Sequence, residues 1–265
     1  MELLELAVDV ARAAGALLLD RFGRAHEGVG TKSSATDMVS DADRAAEAFI
    51  LGAIGCARPD DGFLAEEGGA TRTRSGVTWV IDPLDGTTNF LYGIPQWCVS
   101  IAATEAGGTV AGAVFDPVRD EMFAAARGSA ATLNGTTIRT RAETDLARAL
   151  VATGFSYDAG ERAIAGRMMA GIVPRVRDVR RAGSAALDLC FVACGRLDGY
   201  YEAPSHPWDL AAGELIVREA GGRTEVMEQI GPGGPGLIAG AAGIFDALRA
   251  LVIEVHPATS ISRDG

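Results

Sequence analysis

The sequence has too few cysteines and histidines to supply several common kinds of site. There are three histidines in 265 residues, and their spacing is not that of metal ligands. The four cysteines include no C-x-x-C pair, and each has apolar neighbours, which predicts buried free thiols in a reducing compartment. They are Cys56, Cys98, Cys190 and Cys194.

A long apolar run and an excess of positive charge are also missing. No unbroken apolar segment reaches the ~18 residues that a transmembrane helix needs. The N-terminal stretch MELLELAVDVARAAGALLLDRF contains acidic residues and has no basic region typical of a signal peptide. The formal net charge of −11 argues against nonspecific binding to nucleic acid or to an anionic membrane. We therefore expect a cytoplasmic protein that binds neither.

The length allows one large domain or two modest ones. Apolar residues make up 48% of the chain and charged residues 22%, which is ordinary for a globular protein with a sizeable core. The pattern of the sequence changes near residue 145. We therefore predict an N-terminal α+β half over 1–145 and a C-terminal α/β half over 146–265.

The N-terminal half shows helices followed by strands. Apolar residues at helical spacing predict a helix over 2–22, and Ser40 with Asp43 three residues later predicts the capped start of a second helix. The segment 77–81, VTWVI, predicts a short strand. After residue 97, short apolar runs are separated by turn residues such as Gly107-Gly108 and Asn134-Gly135, which is typical of an antiparallel meander.

In the C-terminal half, strand-like and helix-like segments alternate. RALVATGF, LDGYYE and GLIAG resemble strands, whereas GSAALDLCFVACG and PWDLAAGELIVREAGG resemble helices. Such alternation predicts an α/β arrangement. The basic run RVRDVRR, residues 175–181, is interpreted as a solvated strand edge rather than a nucleic-acid patch.

The segment WVIDPLDGTTNF, residues 79–90, points to chemistry. Pro83 disfavours a helical conformation at Asp82, so we predict that the strand ends there. Gly86 permits a tight turn, and a helix can start at Thr87. Carboxylates for a hard cation would then lie beside backbone N–H groups for a phosphate, as metal-assisted phosphoryl transfer requires. An Asp-Pro turn followed by a helix-capping Asp85 is an equally good interpretation of this segment alone.

Two further acidic segments favour the metal interpretation. LAEEGG places Glu66 and Glu67 in a turn after an apolar stretch, and HPWDLAAG places Asp209 in the first turn of a helix. Asp209 taken by itself is explained more simply as a helix cap or helix-dipole partner.

Five segments, in order, resemble the motifs of the inositol monophosphatase family of magnesium-dependent, lithium-sensitive phosphatases. The resemblance covers nearly the whole chain and departs at Ala65, where the family usually has glycine. It implies a layered αβαβα sandwich, the sugar-phosphatase fold, and a homodimer. The segments are TKSSATDMVSDAD, LAEEGG, WVIDPLDGTTNF, RRAGSAALDLCFVACGRLDGYYE and PWDLAAGELIVREAGG.

The resemblance also implies roles for individual residues. Asp43, Glu66 and Thr87 are expected to be catalytic, with Asp43 and Thr87 orienting and deprotonating the attacking water. Lys32 and Asp37 would lie in a mobile loop that helps to close the site and to hold a further cation. Two or three Mg²⁺ ions would be held by Glu66, Asp82, the Leu84 carbonyl, Asp85 and Asp209, with Asp82 bridging two of them. The phosphate ester would contact Leu84, Asp85, Gly86, Thr87, Gly183, Ser184, Ala185, Glu202 and Asp209.

Several other motifs are poor matches to their families. GVGTKS lacks a glycine before Lys32 and no strand precedes it, so it is not a P-loop. The nucleophile of an aspartyl phosphatase follows a buried strand, and no such strand is predicted before DADR, residues 41–44. Cys190 and Arg196 have the spacing of a thiol phosphatase, but the apolar helical run between them predicts a buried thiol. His206 is expected in a surface turn or at the rim of the site.

The sequence as a whole predicts a Mg²⁺-dependent phosphomonoesterase acting on a small polyol phosphate, with inositol 1-phosphate preferred. Histidinol phosphate and fructose 1,6-bisphosphate are alternative substrates in related phosphatases. A non-catalytic cation-binding regulatory protein is the alternative from another class. The complete acidic set with Thr87 favours an enzyme.

Overall fold

Two N-terminal helices form the first layer of the molecule. The computed structural model describes residues 2–24, 30–31, 38–227 and 235–256. Helix α1 spans Leu3–Leu19 and α2 spans Asp41–Ala57, and β1 (Gly30–Thr31) pairs antiparallel with β2 (Met38–Val39) between them. Gly15 allows α1 to lie directly on the next layer, because a Cβ at this position would come within 2.5 Å of the Phe115 ring.

An eight-stranded sheet forms the second layer. Neighbouring strands pair antiparallel, except that the strand at Gly62–Ala65 pairs parallel with the strand at Thr78–Asp85. The hairpin at Asn134-Gly135 has positive φ at both residues, as its turn type requires. The strands are β3 (Gly62–Ala65), β4 (Gly69–Thr71), β5 (Thr78–Asp85), β6 (Cys98–Glu105), β7 (Gly108–Asp116), β8 (Glu121–Ala126), β9 (Thr132–Leu133) and β10 (Thr136–Thr137).

The rest of the chain supplies a second sheet and the helices around it. Short 3₁₀ helices lie at Leu146–Arg148 and Val173–Arg175. The helices are α3 (Thr87–Leu91), α4 (Ala159–Ile172), α5 (Ala185–Ala193), α6 (Pro207–Glu219) and α7 (Phe245–Val255). The strands are β11 (Leu150–Thr153), β12 (Asp178–Arg180), β13 (Gly199–Glu202), β14 (Gly222–Met227) and β15 (Gly236–Ala241).

Three apolar clusters hold these layers together. The first joins α1 and α2 to the eight-stranded sheet. The second places α5 and α6 between the two sheets, where Leu189 and Leu215 pack with Phe123 from one sheet and Tyr200 from the other. The third packs α4 and α7 against the outer face of the second sheet. The predicted αβαβα sandwich is thereby confirmed.

The five-stranded sheet has the order β12-β11-β13-β15-β14 and is mixed. The pairs of β11 with β12 and β13 are parallel, whereas β15 is antiparallel to both its neighbours. Strand β12 lies at the edge and contains the exposed Arg180, as predicted for the basic run. Strand β14 was not predicted. The division near residue 145 stays a prediction.

Two predictions about local structure are wrong. Strand β5 does not end at Asp82 but continues to Asp85. Asp82 pairs with Ser100 of β6 and Asp85 pairs with Cys98, so β5 has one more residue than β6 between these two pairs. This bulge accommodates Pro83. The cysteines are all free, as expected, but Cys56 is exposed rather than buried. Among the helices of the described residues, none has the length and apolar character needed to cross a membrane.

Candidate active site

The end of β5 and the turn after it form one wall of the site. The backbone N–H of Leu84 donates to Asp82 Oδ1 at 2.9 Å, which fixes the bulge. Gly86 then adopts a φ of 97°, and α3 starts at Thr87 as predicted. A side chain at position 86 would also collide with the backbone, because its Cβ would lie 2.9 Å from the Gln96 carbonyl oxygen. Glycine is therefore required here by both conformation and space.

Asp43 and Thr87 form a buried pair although they lie far apart in the sequence. Ser40 caps α2, and its backbone N–H and hydroxyl both donate to Asp43 Oδ2, at 2.9 and 2.5 Å. The second oxygen, Oδ1, accepts the Thr87 hydroxyl at 2.9 Å. The same hydroxyl lies 3.1 Å from the Leu84 carbonyl oxygen. The predicted capping box and the predicted Asp43–Thr87 contact are thus one network.

The four acidic residues predicted as metal ligands are close enough to influence one another. Burial raises the pKa of Asp82 well above its usual range, and the charges of Glu66, Asp85 and Asp209 raise it further. Burial also raises the pKa of Asp209, with the charge of Asp85 as the next cause. Gathering four carboxylates in this way is costly unless protons or cations neutralise them.

Asp85 connects β5 to the start of α5. Its Oδ2 accepts the Ser184 hydroxyl at 2.6 Å and the Ala186 N–H at 2.8 Å. These hydrogen bonds oppose the effect of burial, which raises the pKa of Asp85. Gly183 and Ser184 are thereby held against the carboxylate, so the segment predicted to contact substrate does meet the segment predicted to bind metal.

Asp209 belongs to both a helix cap and the site. Its Oδ2 accepts the His206 backbone N–H at 2.9 Å, which completes a capping box for α6. The His206 ring is exposed and stacks on Trp208, with 4.8 Å between ring centroids. Asp209 therefore caps α6 and also lies among the four interacting carboxylates. His206 lies in the surface turn.

The oxygen-rich donor set fits a hard cation such as Mg²⁺, since it contains carboxylates and a carbonyl and no sulfur or imidazole. In the described part of the chain, however, no three His, Cys, Asp or Glu side chains are already arranged to hold a metal ion. Asp82, Asp85 and Asp209 each have one oxygen engaged by a protein N–H group. Cation binding would therefore use the second oxygens or a side-chain rotation.

A cavity of about 90 Å³ opens beside these carboxylates. Its lining includes seven residues that were predicted to bind substrate or metal, and six that were not. The predicted ones are Asp85, Gly86, Gly183, Ser184, Ala185, Glu202 and Asp209. The others are Thr153, Gly154, Phe155, Tyr157, Arg181 and Asp188.

Glu202 enters this cavity from the end of β13. The Tyr200 hydroxyl, buried in the core, donates to Glu202 Oε2 at 2.6 Å. Gly154 makes room for the carboxylate, because a Cβ there would lie 1.9 Å from Oε2. The residue is only partly covered from solvent, yet enough protein surrounds its carboxylate that burial raises the pKa of Glu202 to about 7.

Asp188 is the site residue that sequence reasoning missed most clearly. It is the one charged residue in the apolar run AALDLCFVA of α5, and it is 1% exposed. A lone carboxylate inside an otherwise apolar buried helix was a usable sign, because burying a charge is costly.

Two remaining predictions concern the loop and Ala65. Lys32 and Asp37 lie outside the described residues. Ala65 ends β3, and within the described chain the non-glycine residues with positive φ are Asp120 and Asn134. The alanine is therefore compatible with the backbone that leads into Glu66.

Comparisons with known proteins identify the family and agree with the fold. The profile of the inositol monophosphatase family matches residues 1–247. An inositol-1-monophosphatase of Mycobacterium leprae is 46% identical over 233 residues, which cover 84% of this chain and 80% of the relative. A Nus factor SuhB of Xylella fastidiosa is 42% identical over 258 residues, or 94% of each protein. The solved structure of inositol monophosphatase from Anabaena has a TM-score of 0.83 and 35% identity, covering 97% of both chains.

Proposed function

The chain belongs to the inositol monophosphatase family, and on that premise we propose that it is a Mg²⁺-dependent phosphomonoesterase of small polyol phosphates, preferring inositol 1-phosphate. The phosphatase assignment follows from the family. Support for this substrate comes from the relative named inositol-1-monophosphatase and from the polar cavity beside the carboxylates.

The observation that carries the proposal is the hydrogen bond between Thr87 and Asp43. A hydroxyl that donates to a buried carboxylate has its lone pairs available to accept a proton from water. Water attack at phosphorus forms one P–O bond while the bond to the alcohol oxygen breaks. The proton from the water would pass to Thr87 as the Thr87 proton moves to Asp43, and the leaving alcohol oxygen would take a proton from solvent water. No covalent phospho-enzyme is needed, so no nucleophilic side chain is required.

The carboxylate set would hold the cations. Glu66 and the Leu84 carbonyl would bind one ion, Asp85 and Asp209 another, and Asp82 would contact both. When bound, such cations neutralise phosphate charge, lower the pKa of water and stabilise the leaving oxygen. A third cation site involving Asp37 remains part of the proposal.

The remaining residues would orient the ester. Gly86 and Thr87 would donate backbone N–H groups to the phosphate. Gly183, Ser184, Ala185 and Glu202 line the cavity where the alcohol would lie. Glu202 is the strongest acceptor among these four for an alcohol hydroxyl.

A substrate panel tests the proposal. Inositol 1-phosphate, histidinol phosphate, fructose 1,6-bisphosphate and p-nitrophenyl phosphate should be compared with and without Mg²⁺. We expect Mg²⁺-dependent phosphate release, fastest from inositol 1-phosphate. Preference for one of the other natural esters would support the corresponding rival substrate. A folded protein inactive on every ester would contradict an enzymatic role.

A second candidate comes from the relatives named Nus factor SuhB. A regulatory role of that kind is compatible with the fold, and it corresponds to the non-catalytic alternative. The Asp43–Thr87 pair together with the complete acidic set favours catalysis over this alternative. We also propose that the protein is a lithium-sensitive homodimer. It would lie in the cytoplasm and bind neither nucleic acid nor membranes.

A further inference from the structure

The cavity wall includes a buried acid with an oxygen that no protein group satisfies. Asp188 is 1% exposed, and its Oδ1 has no hydrogen-bond partner among the described residues. The residue nevertheless lines the cavity of about 90 Å³. Burial raises the pKa of Asp188 well above its usual range. An unpaired buried polar atom costs ~1–3 kcal/mol, so its retention in the site needs an explanation.

Asp188 lines the same cavity as Glu202, and after burial the Glu202 charge is one of the causes that raise the pKa of Asp188. Each carboxylate raises the pKa of the buried Tyr200 hydroxyl, after the larger effect of burial. Tyr200 donates its proton to Glu202 and so leaves none for Asp188. The two carboxylates are therefore short of donors, and the missing donors must come from whatever occupies the cavity.

A cation also lines the cavity. The Arg181 guanidinium lies over Gly183, where an added Cβ would be 2.6 Å from Arg181 Nη1. It also lies 5.7 Å from the centre of the Phe155 ring. This positive charge balances part of the carboxylate charge in the cavity. Neutral hydroxyl groups can donate hydrogen bonds to both Asp188 and Glu202.

We propose that Asp188 is a specificity-determining residue that accepts a hydrogen bond from one hydroxyl of the alcohol, while Glu202 accepts one from the neighbouring hydroxyl. This inference rests on the proposed function and adds to it a second residue that would recognise the hydroxyl groups of the alcohol. Sites that must hydrogen-bond a substrate hydroxyl discriminate strongly against analogues that lack it.

The test compares Asp188→Asn with the wild type on two esters in the presence of Mg²⁺. For inositol 1-phosphate, kcat/KM should fall about tenfold, the upper end of the loss expected when a neutral hydrogen bond is removed. For p-nitrophenyl phosphate, which has no hydroxyl groups, kcat/KM should stay within about twofold of the wild-type value. Asp178→Asn removes an equal charge on the exposed edge strand and should change neither value.

Three outcomes would overturn the inference. An equal loss on both esters would show a structural role for Asp188. With histidinol phosphate assayed in parallel as a third ester, a loss confined to that ester would show recognition of an ammonium group. No change on either ester would show no role in specificity. Wild-type inactivity on both esters would instead contradict the proposed function.

Binding of free myo-inositol, followed by saturation-transfer NMR, tests the inference independently of catalysis. Asp188→Asn should weaken it about tenfold, with Asp188→Ser as a second variant if the asparagine protein does not fold. Equal binding by wild type and variants, or no binding by the wild type, would refute the role of Asp188.

Discussion

At the scale of single residues, Asp82 is a buried carboxylate that three other carboxylates repel. Its side chain is 2% exposed, and three other carboxylates raise its pKa. One hydrogen bond, from the Leu84 N–H, engages its Oδ1. Removing its charge should therefore reduce electrostatic repulsion in the folded protein but lower the rate of the reaction. These opposite effects distinguish a functional role from a structural one.

Asp82→Asn should lower kcat for phosphate ester hydrolysis by several orders of magnitude while the protein remains folded. The physical reason is the loss of a shared cation ligand at the reacting phosphate. Phosphate release and circular dichroism measure the two properties. Asp120→Asn, on the surface, is the matched control. Activity within tenfold of wild type, only ~1.4 kcal/mol of barrier, would show that Asp82 is not a ligand.

Glu202 predicts a pH dependence of stability. Its pKa in the folded protein is about 7 against an ordinary 4.5, so between these values the folded state holds a proton that the unfolded state has lost. Stability from this group is present below pH 4.5 and is lost as pH rises through 7. In EDTA, urea unfolding should show that Glu202→Gln loses less stability than wild type between pH 5 and pH 8. Equal losses in the two proteins would contradict the raised pKa.

At the scale of elements, the sequence predicted the helices and the meander better than it predicted the end of β5. Periodicity and turn residues are local signals, and they located the helix that Ser40 caps. The effect of Pro83 was predicted wrongly because the pairing of β5 with β6 accommodates the proline in a bulge. A bulge depends on both strands and is not visible in the sequence of one. The cavity wall around Asp188 was missed for a similar reason: its neighbours come from separate strands and helices.

The cap of α2 links helix stability to the reaction. Ser40→Ala should cost about 1 kcal/mol of stability, as is usual for an N-cap, and should also lower kcat about tenfold because Asp43 loses the Ser40 hydroxyl. Asp158→Ala removes the cap of α4, which accepts the Glu161 N–H, and is the matched control. Chemical denaturation and steady-state kinetics give the two readouts. Equal loss of activity in both variants would show that only stability matters.

At the scale of the whole molecule, the site exists only where the layers meet. Asp82 and Asp85 come from the eight-stranded sheet, Asp43 from the outer helix layer, and Asp209 from the helix layer between the sheets. Asp85 is held by hydrogen bonds from Ser184 and Ala186 at the start of α5. A ligand shared by these residues would therefore stabilise the packing of several layers at once.

This arrangement predicts that Mg²⁺ stabilises the folded protein. A cation bound only by the folded state adds about 2.7 kcal/mol at one hundred times its Kd, which should raise Tm by roughly 5–10 °C for a chain of this size. Differential scanning fluorimetry with EDTA and then with Mg²⁺ measures the shift. Asp209→Asn should reduce the shift by at least about half, because it removes the ligand on α6. Asp246→Asn, an exposed carboxylate on α7, should leave it unchanged. A full shift in Asp209→Asn would place the cation among residues of the eight-stranded sheet alone, and no shift in the wild type would contradict a metal site at this junction.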